Sequence, residues 1–268
     1  MKMKATNYLL KYTEIAPLQL AIIRSNEVYH TSKIKMRKPI LDIGCSDGIF
    51  AHVLFSGKKN SIDVGIDFDE LALKLSKDKK VYKKTIFADA RNLPFKDSQF
   101  YTVFSNQSLE HVDGVEKAIK EISRVLKKEG KFIFLVPTIF LDEYWITSSL
   151  FKSIGLTKLS KFLHDKRNKL FKHYNLWPIK KWENLLRKNG LIIENYCYME
   201  GKKRYFLSEM FQIFRLPQYL LRYMLKKDVL FPRKPALFMA KIISLFLAEK
   251  NSNTSKEGPT MLIVAYKK

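Results

Sequence analysis

From residue 39 to residue 137 the chain alternates short apolar runs with amphipathic segments of helical period, and this alternation restricts the fold more than any other feature. The runs PILDIG (39–44), SIDVGID (61–67), KTIFAD (84–89), QFYTVFSN (99–106) and GKFIFLVP (130–137) read as strands. Between them GIFAHVLFSG, DELALKLSKDKK and GVEKAIKEISRVLKKEG carry apolar residues at three- and four-residue spacing, which reads as helix. Strands alternating with helices in this way pair in parallel through right-handed crossovers. The expected fold is therefore α/β, doubly wound and Rossmann-like.

Past Pro137 the pattern changes to a long aromatic and basic stretch of helical character. A helix is expected at IKKWENLLRKNG (179–190), with further strands at LIIENYCYM and at the closing TMLIVAYKK, giving a mostly parallel seven-stranded sheet. The resulting layout is an N-terminal helical cap (1–37), a core (38–137), a helical insertion after strand 5 (138–178), a core helix and strand (179–200), a basic, aromatic insertion after strand 6 (201–258) and a final strand (259–268). EKNSNTSKEGP (249–259) is the one linker-like run.

Lys and Arg number 49 against 26 Asp and Glu, a formal charge of +23, which suits a polyanionic partner: an anionic membrane surface or a nucleic acid. The two cysteines, Cys45 and Cys197, form neither a zinc-ligand spacing nor a disulfide framework, so no metal is expected and a reducing compartment is. The first twenty residues lack the apolar stretch and cleavage site of a signal peptide. The expectation is a cytoplasmic chain, with peripheral attachment at the inner face of the membrane as its refinement.

The segment LDIGCSDG sets Gly44 and Gly48 around a strand-to-helix turn, where a missing side chain permits positive φ and close approach of a ligand. A dinucleotide site would carry G-x-G-x-x-G; here the spacing is G-x-S-x-G, with Asp42 two residues ahead of the first glycine. A carboxylate there disfavours phosphate and suits an ammonium or sulfonium group. Asp67, ending the second strand, can accept bonds from two ribose hydroxyls, and Phe68 can cover an adenine face. At the third strand end the Asp89 carboxylate can meet an exocyclic amine and the Ala90 amide a ring nitrogen. One such acid is more often a helix cap. Three at successive strand ends of one sheet point to a ligand.

With these residues in place the chain resembles the class I S-adenosylmethionine-dependent methyltransferases, in the ubiquinone/menaquinone-type branch with its type 11-like domain. The resemblance runs over residues 38–137, 173–196 and the final strand, and rests on LDIGCSDG, GIDFDE, ADARNLPF, VFSNQSLEHV and ISRVLKKEGKFIFLVP. It implies S-adenosyl-L-methionine as cofactor. Asp42, Gly44 and the turn through Cys45, Ser46 and Gly48 would contact its methionine part, Asp67 the ribose, and Phe68, Asp89 and Ala90 the adenine. Asn106 and Gln107 would wall the methyl group. Ser46 stands where many members have glycine.

Methyl transfer from a sulfonium needs alignment and exclusion of water more than a nucleophile on the protein. If the acceptor must lose a proton, His111, His173 and Tyr144 are the candidate catalytic bases, although His111, in the LEHV element, reads first as structural. Arg24 and Glu27, on a helix ahead of the first strand, read as a solvated face or an i,i+3 pair.

Absences narrow the acceptor. Asn106-Gln107-Ser108-Leu109 is not the Asn/Asp-Pro-Pro-Tyr/Phe motif of enzymes that methylate exocyclic amines of bases, and neither cysteine follows a proline. Nucleic acid is accordingly the lesser reading. Residues 201–250 interleave aromatics and leucines with eleven Lys or Arg against three acids. PALFMAKIISLFLA (235–248), interrupted by Lys241, is short of the ~20 apolar residues a bilayer span requires, so a helix lying on a lipid surface is expected there, against core packing as the alternative. The function expected is methyl transfer to a small-molecule or lipid-linked acceptor at the membrane surface. The alternatives are a soluble metabolite methyltransferase, an RNA methyltransferase and a non-catalytic cofactor-binding scaffold.

Overall fold

The computed structural model describes residues 5–199, 201–211, 233–247 and 257–268. The middle of the basic insertion (212–232) and most of the linker-like run (249–256) lie outside the described residues.

Two helices, α1 (Ala5–Thr13) and α2 (Leu18–Thr31), precede the sheet. The core then runs β1 (Ile40–Ile43), α3 (Ile49–Leu54), β2 (Ile62–Asp67), α4 (Glu70–Asp78), β3 (Tyr82–Phe87), β4 (Phe100–Asn106), α5 (Val115–Val125) and β5 (Leu126–Pro137). The seven strands are ordered β3-β2-β1-β4-β5-β7-β6, with β6 (Leu191–Met199) and β7 (Thr260–Lys267) closing one edge. The first five pair in parallel; β7 runs antiparallel to both β5 and β6. The fold is the mostly parallel, doubly wound α/β sheet expected from the alternation.

Each helix forms because its apolar residues fall on one face. In α5, Val115, Ala118, Ile119, Ile122 and Val125 are all buried, while Lys117, Lys120 and Glu116 face solvent. That face packs with Phe132, Phe134, Trp182 and Ile263 into the main core. Asp69 caps α4 by accepting from the Leu71 and Ala72 amides.

Two boundaries differ from the sequence expectation. The third strand occupies residues 82–87 instead of 84–89, which leaves Asp89 beyond its end. Strand β5 starts at Leu126 instead of residue 130: Leu126 pairs with Phe100, and pairing resumes with Lys131 opposite Thr102, so Lys127–Gly130 bulge from the ladder. A polar KKEG run is legible as a turn and not as a bulged strand.

The strand order reverses between β1 and β4, opening a crevice at their carboxyl ends. Around it stand α1 and α2, the strand-5 insertion with α6 (Ile146–Ser153) and α7 (Thr157–Leu170), and the strand-6 insertion, whose described parts are α9 (Lys202–Met210) and α10 (Arg233–Leu247); α8 (Ile179–Lys188) packs below, against the main core. Ala240 and Ile243 of α10 are buried with Leu9, Ala21 and Ile22 of the N-terminal helices. Arg204 of α9 donates to the Ile22 carbonyl at 2.6 Å and Ser208 to that of Gln19 at 2.8 Å. The two ends of the chain therefore build one helical layer over the crevice.

Candidate functional site

The β1–α3 turn is shaped by three left-handed residues: Gly44 (φ 73°), Ser46 (φ 48°) and Gly48 (φ 75°). Gly44 is obligatory for two reasons, since a Cβ there would sit 2.1 Å from the Ser108 hydroxyl. Its amide and that of Cys45 both donate to the Ile66 carbonyl at 2.9 Å, folding the turn back over β2. Ser46 adopts a conformation that glycine takes without cost, and its amide is held by the Asp67 carboxylate at 2.8 Å. Asp67 accepts a second bond from the Asp69 amide at 3.0 Å. A carboxylate has about four acceptor sites, so capacity for two hydroxyls remains.

This turn floors a cleft of about 770 Å³. Asp42, Gly44, Cys45, Ser46, Asp67, Phe68, Asn106 and Gln107 all line it, together with Tyr12, Arg24, Phe50 and His111. Phe68 is 75% exposed, an unusual position for an aromatic ring unless something covers it. On the cleft wall, the buried Asn106 Oδ1 has no partner among the described residues. An orphaned acceptor in a cleft that also holds Asp42 fits a ligand bearing N–H donors and positive charge.

Asp42 is not the freely charged group its position in the sequence suggests. It is 3% exposed, Tyr82 donates to it at 2.7 Å, and burial raises its pKa to about 7 against the lowering effect of that bond. The Tyr82 ring lies under the turn, where a Cβ at Gly65 would come within 2.9 Å and one at Gly48 within 3.2 Å. Gly48 is thus a packing glycine that does not line the cleft. Tyr82 is a residue that the sequence reading passed over; starting the third strand two residues late left it outside the motif.

Asp89 and Ala90 do not line the cleft either. The Asp89 carboxylate is clasped by the Arg91 side chain, with Nη2 at 2.6 Å, and this pairing holds its pKa below the ordinary carboxylate value. Ala90 packs into the main core.

A second cavity of about 330 Å³ adjoins the cleft, sharing Leu20, Arg24, Gln107, His111 and Phe171. His111 and His173 both line it, their rings 5.1 Å apart. Burial pushes the His173 pKa down to about 4, aided by His111 and Arg167, and burial likewise lowers that of His111. Both rings are neutral near pH 7 and can take up a proton. Tyr144 stands outside both cavities, its hydroxyl 3.3 Å from the Glu257 carbonyl; Trp145 and Tyr205 supply the aromatic wall instead. Arg24 and Glu27 form the i,i+3 pair at 2.7 Å, but on a buried face: Glu27 is 1% exposed and also receives Gln107 Nε2 at 3.1 Å.

Sequence reasoning missed Glu110 and Arg167 in this cavity. Glu110 is 2% exposed, has one oxygen without a partner, and is pushed by burial up to about 8. No local pattern marks either as buried: Glu110 lies beside Arg24 and Glu27 of α2, and Arg167 is packed among Asp142, Trp145 and Tyr205.

Residues 41–134 match the family model described as a methyltransferase domain. They form a class I S-adenosylmethionine-dependent methyltransferase domain. The cofactor of such a domain is S-adenosyl-L-methionine, and the cleft, with its carboxylates and the Asn106 acceptor, fits that cationic ligand. The chain is 34% identical over 99 residues to the demethylmenaquinone methyltransferase of Staphylococcus aureus, covering 35% of this chain and 41% of that protein. It is 28% identical over 160 residues to an uncharacterized protein of Methanocaldococcus jannaschii, covering 56% and 60%. The chain thus spans less than two thirds of the length of these curated relatives. A crystal structure of a methyltransferase from Thermotoga maritima superposes over 94% of this chain and 92% of that one, with a TM-score of 0.56 and 17% identity, a likeness of fold.

Proposed function

We propose that this protein transfers a methyl group from S-adenosylmethionine to a small-molecule or lipid-linked acceptor at a membrane surface. The observation that carries the reading is the pair of adjoining cavities: a glycine-floored cleft with acidic and orphaned acceptors, bordered at Gln107 and His111 by a smaller, aromatic-walled chamber. The cofactor supplies an electrophilic methyl on a sulfonium sulfur. Asp67 and the turn at Gly44 would hold it, with Phe68 against the adenine. Gln107, tied to Glu27, would keep the wall between cleft and chamber in place. His111 and His173, neutral at physiological pH, would receive a proton from an acceptor that has one to lose.

The membrane part of the proposal rests on exposed apolar residues set among lysines. On α7 only Ser160, His164 and Arg167 are buried; Leu159, Phe162, Leu163 and Leu170 stand in solvent beside Lys158, Lys161, Lys166 and Lys169. Phe238, Leu245 and Phe246 do the same on α10, whose opposite face is seated on the N-terminal helices. An apolar face with basic residues around it is the composition of an interfacial helix. No helix among the described residues is long and apolar enough to cross a membrane.

The test is incubation of the purified protein with methyl-labelled cofactor and total lipid and metabolite extracts. Label is expected in an organic-soluble product. Firm cofactor binding with no labelled product from any extract would leave a cofactor-binding scaffold instead.

A further inference from the structure

Three polar groups on the second cavity lack partners among the described residues, and all three are donors or able to donate. Arg167 is 6% exposed; its Nη2 contacts Asp142 at 3.2 Å, while Nε and Nη1 are buried and bonded to nothing. Gln19, 5% exposed, leaves Nε2 unbonded. Glu110 leaves Oε2 unbonded, and with its pKa raised by burial it carries a proton at neutral pH. Buried donors of this kind are ordinarily paired, and a set of them on one chamber calls for an acceptor-rich occupant.

The guanidinium is also fixed in place. Trp145 lies against its face, and Trp145 in turn donates to the Tyr205 hydroxyl at 3.1 Å. Burial lowers the Arg167 pKa to about 10, which still leaves it charged under physiological conditions. Asp142 gives one oxygen to Arg167 Nη2 and the other to His164, each at 3.2 Å, so neither is left for Nε or Nη1. A second acid, Glu209, acts on the guanidinium electrostatically without a hydrogen bond to it, and accepts from the Ile146 amide at 2.7 Å.

We propose that the chamber takes an anionic group of the acceptor, a carboxylate or a phosphate, on Arg167, with the Gln19 amide as a further donor. The inference rests on the methyl-transfer reading and narrows its substrate class. Arg167 and Gln19 are binding residues here; the anion anchors the acceptor, and the border shared at Gln107 and His111 sets its other end beside the cofactor cleft. Charge-assisted bonds of a guanidinium to such oxyanions are among the strongest available in a dry pocket.

The experiment is calorimetric titration of the full chain, saturated with S-adenosylhomocysteine, with four probes: octyl phosphate, octanol, octylammonium and inorganic phosphate. Octyl phosphate is expected to bind at least about tenfold more tightly than octanol or octylammonium, as one desolvated charge pair warrants. Arg167→Gln should erase that preference and leave affinity for S-adenosylhomocysteine within about twofold. Asp142→Asn should tighten octyl phosphate binding severalfold by removing the competing carboxylate, and it decides the question alone if Arg167→Gln does not fold. Inorganic phosphate binding as tightly as octyl phosphate, and dependent on Arg167, assigns a free anionic metabolite; a requirement for the alkyl chain assigns a lipid headgroup. Equal binding of octyl phosphate and octanol, or octyl phosphate affinity unmoved in both variants, overturns the proposal. Failure of the unaltered protein to bind S-adenosylhomocysteine would instead strike the methyl-transfer reading, and the same four titrations without that ligand would still read the anion preference of the chamber.

Discussion

Gly44→Ala should cost the protein both stability and its cofactor. The backbone at Gly44 has φ 73°, a region that an alanine enters at a cost of about 1 to 2 kcal/mol. Its new Cβ would lie 2.1 Å from the Ser108 Oγ and 2.4 Å from the Ser108 Cβ. Carbon atoms rest at about 3.5 to 4.0 Å, so rotating the hydroxyl away leaves an overlap of more than about 1 Å against an atom fixed to the backbone. Relieving it requires the β4 loop to move away from β1, and overpacking of that kind costs about 1 to 3 kcal/mol. The sum is about 2 to 5 kcal/mol. Ser108→Gly removes the atoms in the way and leaves the φ penalty, so the double variant should recover roughly the steric half, seen as a coupling energy in the four-member cycle. Urea unfolding followed by fluorescence measures the stabilities, and calorimetry with S-adenosylhomocysteine measures the cleft. A single variant within about 0.5 kcal/mol of the parent, or a cycle with no coupling, would refute the reasoning.

Two further outcomes follow from other parts of the structure. Glu110 has a folded-state pKa of about 8 against an ordinary value of 4.5. Between those values the unfolded chain releases a proton that the folded chain keeps, so stability is full below the lower value and falls as pH rises to the upper. The slope from this one residue is at most about 1.4 kcal/mol per pH unit. Glu110→Gln should flatten the stability profile between pH 5 and 8, roughly the window those two values bracket; identical slopes in denaturant titrations would show that Glu110 is not held protonated. On the surface, Phe238, Leu245 and Phe246 changed together to Ser should release the protein from anionic vesicles in sedimentation assays while leaving its unfolding midpoint in place, because all three side chains are exposed. Retained binding would contradict the interfacial reading of α10. A fall in binding with salt alone, equal in parent and variant, would point to a polyanion such as RNA.

The fold was legible because its signal is periodic. Alternating strands and helices identify the sheet, and α5 matches its amphipathic pattern residue by residue. Boundaries were less so: nothing local in KKEG distinguishes a bulge from a turn, and the third strand begins at Tyr82, whose partner Asp42 is 40 residues away. The cleft was largely legible for a similar reason, since Asp42, Gly44, Asp67 and Asn106 sit at strand ends that the topology necessarily brings together. The second chamber was not. His111 and His173 were found by residue type, whereas Glu110 and Arg167 look like ordinary surface charges until α2 and the strand-5 insertion close over them. Tyr144 and Tyr205 are indistinguishable in sequence, and only Tyr205 lines the chamber. The basic insertion divides in a way that composition does not show: on α10 the buried Ala240 and Ile243 are core, and Phe238, Leu245 and Phe246 are not.

Asp67 provides the most direct measurement of the central claim. Its carboxylate already supports the turn through the Ser46 and Asp69 amides, and its remaining acceptor sites are the ones assigned to the ribose. Asp67→Asn keeps an oxygen for one amide and removes the charged acceptor, a loss worth about 1.5 to 3 kcal/mol, or roughly a factor of 10 to 150 in affinity. Titration calorimetry of parent and variant with S-adenosylmethionine and with S-adenosylhomocysteine should show one site in the parent and this weakening for both ligands in the variant. Unchanged affinity in Asp67→Asn, or a parent protein that binds neither ligand, would contradict the assignment of the cleft.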